Sequence, residues 1–128
     1  MLLVDSSVWI DAGLSLRSLV RETRGQLVAV CPPIVHEVLQ GTDDEQSFQL
    51  TRALLRTARL VDAEMPLERF EEAAAINRAC RMAGHTIRSS YDCLIAASAI
   101  AHGIPLFAAD RDFQFIARAT NLQLFTRS

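Results

Sequence analysis

The stretch Ser90-Tyr91-Asp92-Cys93-Leu94-Ile95-Ala96-Ala97-Ser98-Ala99-Ile100-Ala101-His102-Gly103-Ile104-Pro105-Leu106-Phe107-Ala108-Ala109-Asp110 decides the fold. It opens as a helix at Ser90 or Tyr91 and runs to His102. Gly103 stops it, being the residue type that most readily takes the left-handed conformation that closes a helix. Residues 104–108 follow as a short apolar run of strand type. Asp110 stands just past that strand and can cap a short helix over residues 111–119.

The same alternation extends outward. Residues 2–5 read as a buried strand, short, apolar and ended by polar residues. Over residues 13–24 leucines and Val20 recur at helical spacing, Arg17, Arg21 and Arg24 occupy another face, and Gly25 is the stop. Residues 27–31 form a second strand. Pro32 and Pro33 then open a helix, where proline is tolerated in the first turn; that helix carries Glu37 and ends near Gly41. A helix with a charged outer face is expected over 43–59, and a short third strand over 60–62. Residues 66–83 read as a helix with Leu67, Phe70, Ala74, Ile76 and Cys80 partly following one stripe, ended by Gly84. Residues 122–125 close the sheet. Helices alternate with strands and no Asn-Gly hairpin signal occurs, so the expected fold is an α/β sandwich with a mainly parallel sheet. No repeat, low-complexity stretch or linker divides residues 1–128, which read as one domain.

Composition narrows the function. Half of the 128 residues are apolar, enough for a single core. No apolar run is long enough to span a bilayer, and Met1 begins directly on a strand-like run, so no cleavable leader is expected and the cytoplasm is the expected location. The three cysteines, Cys31, Cys80 and Cys93, lie in apolar stretches without Cys-x-x-Cys spacing, which disfavours a disulfide framework or structural zinc. All thirteen Lys/Arg positions are arginine. The missing lysine excludes a P-loop, a Schiff-base nucleophile and a phosphoaspartyl site of receiver type.

Four acids end or head four hydrophobic segments: Asp5, Glu37, Asp92 and Asp110. In an open parallel sheet, ligands collect beyond the carboxyl ends of the strands, and all four can converge there. Crowding them without a cation is costly, because like charges raise each other's pKa values. Such a set suits Mg²⁺ or Mn²⁺, and metals held this way are used mainly to cut phosphodiester bonds. The net charge of −2 does not favour a strong non-specific nucleic-acid binder, but it includes those acids; neutralised, they leave a basic, arginine-only remainder.

Each residue also has an ordinary reading. Asp5 and Asp110 could cap the turns after them, Asp92 could favour the positive end of its helix, and Glu37 could face solvent. Asp112 is a fifth acid, an outer metal ligand or a first-turn carboxylate. Ser6 and Ser7 could orient Asp5 or bind a metal-held water; otherwise they are helix-start or turn hydroxyls. Arg88, Ser89 and Ser90 could hold phosphate at a helix N-terminus, or the serines could cap it. His36, His85 and His102 lack metal-ligand spacing, and Trp9 reads as core or interface.

The stretches Leu3-Val4-Asp5-Ser6-Ser7-Val8-Trp9-Ile10, Pro33-Ile34-Val35-His36-Glu37-Val38-Leu39-Gln40-Gly41, Ile87-Arg88-Ser89-Ser90-Tyr91-Asp92-Cys93-Leu94-Ile95-Ala96-Ala97 and Ala109-Asp110-Arg111-Asp112-Phe113 together resemble the PIN-domain ribonucleases, specifically the VapC toxins. Each motif is weak alone; the ordered set, spanning nearly the whole chain, is specific. The resemblance implies a PIN-like α/β/α sandwich and an Mg²⁺- or Mn²⁺-dependent endoribonuclease, with Asp5, Glu37, Asp92 and Asp110 in the acidic metal site and Ser6 or Ser7 nearby. It also implies a homodimer and a cognate VapB-like antitoxin, whose tail can place an arginine among the acids. The helices around Leu14 to Leu19 and Leu50 to Leu55 are the candidate antitoxin surfaces, against a core role for the same leucines. The family often has threonine at the position of Ala108, so a polar contact near Asp110 is missing here.

The expected chemistry is hydrolysis of structured RNA, a tRNA or an rRNA loop, by a metal-activated water, giving a 5′-phosphate and a 3′-hydroxyl. Arg88 and Arg111 would steer the backbone. The competing reading is a non-catalytic PIN-like module that binds antitoxin or RNA.

Overall fold

The computed structural model describes residues 1–126. Its sheet has four strands: β1 (Leu2–Val4), β2 (Val28–Val30), β3 (Arg59–Leu60) and β4 (Leu106–Phe107), in the order β3-β2-β1-β4. Every pairing is parallel, with Leu3 opposite both Ala29 and Leu106 and Val30 opposite Leu60. The α/β sandwich with a parallel sheet is therefore the observed fold. The chain steps outward from β1 to β2 to β3, then returns to the far side of β1 for β4. That reversal opens a crevice between the carboxyl ends of β1 and β4, the place where such sheets bind ligands.

Among the described residues seven helices cover the sheet: α1 (Ser6–Asp11), α2 (Leu16–Glu22), α3 (Pro32–Gln40), α4 (Glu45–Leu55), α5 (Leu67–Met82), α6 (Ser90–His102) and α7 (Asp112–Ala119). One hydrophobic cluster runs from Leu2 to Leu122. Trp9 belongs to it, donating its indole N–H to the Val4 carbonyl at 3.0 Å. Helix α6 is its centre. Residues 92–99 of that helix are all buried, and Ala96, Ala97 and Ala99 let neighbouring elements approach closely.

Four sequence expectations shift. The helix expected over 13–24 starts at Leu16, because Gly13 and Leu14 turn with positive φ; the stretch after Asp5, open between a helix start and a turn in the sequence, forms the helix α1. Strand β3 lies at Arg59–Leu60 rather than 60–62, and Asp62 takes φ +56°, a conformation aspartate tolerates. Residues 122–125 make only a parallel bridge between Leu124 and Leu106, although Leu106 and Phe125 both donate across it. On α5 the buried stripe is Arg69, Ala73, Ile76 and Cys80, with Leu67 75 % and Phe70 48 % exposed. An arginine inside the stripe hid its true phase: Arg69 is buried because it pairs with Asp62 through a 2.7 Å bond.

Candidate active site

Asp5 follows β1 directly and is the N-cap of α1. Its Oδ2 accepts from the Ser7 backbone N–H at 3.2 Å and from the Ser7 hydroxyl at 2.6 Å. The same hydroxyl accepts from the Ala109 N–H at 3.1 Å, tying the end of β1 to the loop after β4. Among the described residues Asp5 Oδ1, which is buried, has no hydrogen-bond partner. Burial pushes the Asp5 carboxyl above its ordinary range; the bonds from Ser7 and Ser6 oppose this, and the charge of Asp110 adds to it.

Glu37 projects from α3, whose Pro32 and Pro33 occupy the first turn and whose Ile34 and Val38 anchor it to the core. Half-buried rather than facing solvent, Glu37 accepts from the Ser6 hydroxyl at 3.2 Å. Burial and the charge of Asp5 raise it, against the Ser6 bond and the neighbouring His36. Asp92 lies in the first turn of α6 and is buried. Its carboxyl is pushed up to about 7, first by burial and then by the charges of Asp5, Asp110, Glu37 and Asp112. All four other acids thus act on this one group.

Among the described residues the tightest acidic group is Asp92, Asp110 and Asp112, with one oxygen from each lying within 4.8 Å of the others. Asp5 and Glu37 stand beside this trio. Asp112, weighed equally as ligand or first-turn acid, is buried within it. The first turn of α7 forms locally: Asp110 Oδ1 accepts from the Asp112 N–H at 2.9 Å, so Asp110 has support that Ala108 cannot give. The sequence predicts Asp110 as the cap of a helix starting at residue 111; the structure starts α7 one residue later, with Arg111 at the cap.

The flanking residues divide. Ser89 holds the N-cap position of α6, but no side-chain bond caps that end, so the capping role expected of the serines is not met. Arg88 presents its backbone N–H to Asp112 Oδ2 at 3.5 Å and its Nε at 3.6 Å, with the side chain 77 % exposed. Arg111 is exposed and Ser90 lies at the start of α6. Two features escaped the sequence reading: the link from Ser7 to Ala109, and a hydrogen bond between His36 and Tyr91, the residues immediately before Glu37 and Asp92. Asp5-Ser6-Ser7 ahead of apolar Val8 and Trp9 is a helix-start signal that could have exposed the local cap of Ser7 on Asp5; nothing local signals either long-range contact.

The donors fit a divalent cation. Five carboxylates offer hard oxygen ligands. A buried, unpartnered oxygen on Asp5 and a carboxyl held near neutrality on Asp92 are the strains that a cation would relieve.

A model of the PIN domain matches residues 2–119. Ribonuclease VapC11 of Mycobacterium tuberculosis is 38 % identical over 131 residues, covering 96 % of each chain. The chain is a PIN domain of the VapC kind. Solved structures agree on the fold of this VapC-type domain. VapBC-1 from nontypeable Haemophilus influenzae superposes with a TM-score of 0.75 at 18 % identity, over 97 % of this chain and 96 % of that one. A toxin–antitoxin complex from Klebsiella pneumoniae gives 0.69 at 19 %, over 87 % and 88 %.

Proposed function

We propose that this domain is a metal-dependent endoribonuclease toxin that cuts structured RNA, with tRNA favoured and an rRNA loop next, in the cytoplasm. The observation that carries the reading is the gathering of Asp5, Glu37, Asp92, Asp110 and Asp112 at the crevice between β1 and β4, where the buried Asp5 Oδ1 finds no partner among the described residues. Asp5, Glu37, Asp92 and Asp110 are the catalytic carboxylates and, with Asp112, the ligands of Mg²⁺ or Mn²⁺. When bound, the cation supplies an activated water and offsets charge on the phosphate, leaving a 5′-phosphate and a 3′-hydroxyl. Ser7 fixes Asp5 and Ser6 holds Glu37, and in this reading the exposed Arg88 and Arg111 take the RNA backbone, with Ser89 and Ser90 at the adjoining helix start.

A cognate VapB-like antitoxin is the proposed inhibitor. A groove of about 550 Å³ between α1, α3 and α4, lined in part by Ile10, Leu14, Val38, Leu50 and Leu54, suits its apolar side chains. Leu19 and Leu55 are buried in the core and take no part. A homodimer is proposed as well, with exposed Leu67 and Phe70 on α5 as apolar surface for a second copy.

End-mapped cleavage of total cellular RNA tests the function, using antitoxin-free protein with Mg²⁺, Mn²⁺ or EDTA and folded Asp92→Asn as control. Discrete metal-dependent cuts that the variant loses are expected. No cuts above the variant's background, with both metals and intact protein, would overturn the nuclease reading in favour of a module that only binds.

A further inference from the structure

Two of the acids sit on separate helices, Glu37 on α3 and Asp92 on α6. The residues just before them are joined. His36 Nδ1 and the Tyr91 hydroxyl share a short hydrogen bond, and the rings meet edge to face with centroids 5.3 Å apart at 67°. Consecutive helical positions differ by only about 1.5 Å along the axis. The bond therefore fixes the approach of α3 to α6 one residue away from each carboxylate. His36 is exposed, so the pair is not explained by a need to fill the core.

That place is under electrostatic load. Glu37 and Asp92 repel, and Glu37 is held by a 3.2 Å bond from Ser6, a residue of α1 rather than α6. The His36–Tyr91 bond adds to the core packing of α3 and α6 in resisting any drift apart of the metal-free acids, which a cation would have to reverse. A tie made beforehand removes that cost from binding.

We propose that His36 and Tyr91 are positioning residues whose hydrogen bond latches α3 to α6 and keeps Glu37 beside Asp92, so that a divalent cation need not draw the two helices together. The proposal rests on the metal-site reading above, and its test reads binding rather than cleavage. Mn²⁺ affinity is measured by calorimetric titration for wild type, Tyr91→Phe, His36→Ala, the double variant and His36→Asn, each with its melting temperature in EDTA. Tyr91→Phe removes one hydroxyl and should weaken Mn²⁺ binding about five-fold or more, with a small change in metal-free melting. His36→Ala should do the same, and the double variant should lose no more than either single change, since one bond accounts for both. His36→Asn, whose amide oxygen can stand where Nδ1 stood, should recover much of the affinity. Asp92→Asn separates the two readings. If it abolishes Mn²⁺ binding while Tyr91→Phe stays within two-fold of wild type, or if the single losses add in the double variant, the latch is overturned and the metal site stands. If wild type and Asp92→Asn bind Mn²⁺ equally, or neither binds it, both readings fall.

Discussion

The Ser7 hydroxyl donates to Asp5 Oδ2 at 2.6 Å and accepts from the Ala109 N–H at 3.1 Å, so one side chain joins the carboxylate after β1 to the loop after β4. Ser7→Ala breaks both contacts and leaves the Ala109 N–H without that acceptor. A loss of about 1–2 kcal/mol in urea unfolding is expected. RNA cleavage should fall by about ten-fold or more, because Asp5 loses its orienting bond. Ser7→Thr keeps the hydroxyl and should retain most of both. Equal activity in Ser7→Ala and wild type would remove Ser7 from the site.

The acidic cluster should make the metal-free protein sensitive to pH in an unusual direction. Asp92 titrates near 3.8 as an ordinary aspartate but is pushed up to about 7 in the fold. Between those values the folded state binds the proton more tightly than the unfolded chain. Stability in EDTA should therefore fall as pH rises across that window and level off above it. Asp5 and Glu37, raised in the same direction, add to the slope. Asp92→Asn removes a crowded charge and should melt higher than wild type in EDTA at about pH 8, while binding Mn²⁺ worse. Thermal melts with and without Mn²⁺ check this; a metal-free Asp92→Asn that melts lower than wild type at that pH would refute it.

The order of strands and helices was legible because the short apolar runs end in a polar residue or, after β2, in Pro32-Pro33, and most helices are stopped by glycine or opened by proline. The positions of Asp5, Glu37, Asp92 and Asp110 followed from that order. What stayed hidden depends on contacts between segments distant in sequence. Helix α1 is only six residues long, too short for an apolar period to register. The phase of α5 was misread because Arg69 looks like a surface residue until Asp62 is placed against it. Asp112 could not be ranked from sequence, because its membership of the trio with Asp92 and Asp110 depends on how α7 starts. The tie between His36 and Tyr91 spans 55 positions and carries no pattern of its own.

The thiols should be inert in the native protein. Burial pushes Cys31 up to about 12 and Cys93 up to about 11, and Cys80 is raised by the same cause. The thiolate is the reactive form, and at pH 8 Cys93 holds about one part in a thousand of it and Cys31 about one in ten thousand. Iodoacetamide should leave all three unlabelled until urea unfolds the chain, after which mass spectrometry should count three adducts. Labelling of one cysteine at the rate of a free thiol in native buffer would contradict the buried placement.

The pair of Asp62 and Arg69 should dominate the acid limb of stability. Burial works to raise Asp62, but bonds from Arg69, Ser98 and His102 outweigh it and hold the carboxyl below its ordinary 3.8. The Ser98 hydroxyl, donating at 2.7 Å, is buried and shares the acceptor Oδ2 with Arg69. Arg69→Met keeps the length and packing of the side chain but removes the guanidinium, which also pairs with Glu72. The expected cost at neutral pH is about 2 kcal/mol, the scale of a hydrogen bond to a charged group. A depressed carboxyl contributes stability that is present above its unfolded pKa and is lost as pH falls through its folded pKa. The difference between wild type and Arg69→Met should therefore hold steady near neutrality and close as pH drops below 3.8, where Asp62 takes up its proton. Urea unfolding across that range measures the gap directly. A gap that stays constant into acid would assign the cost to lost packing around Arg69 rather than to its charge.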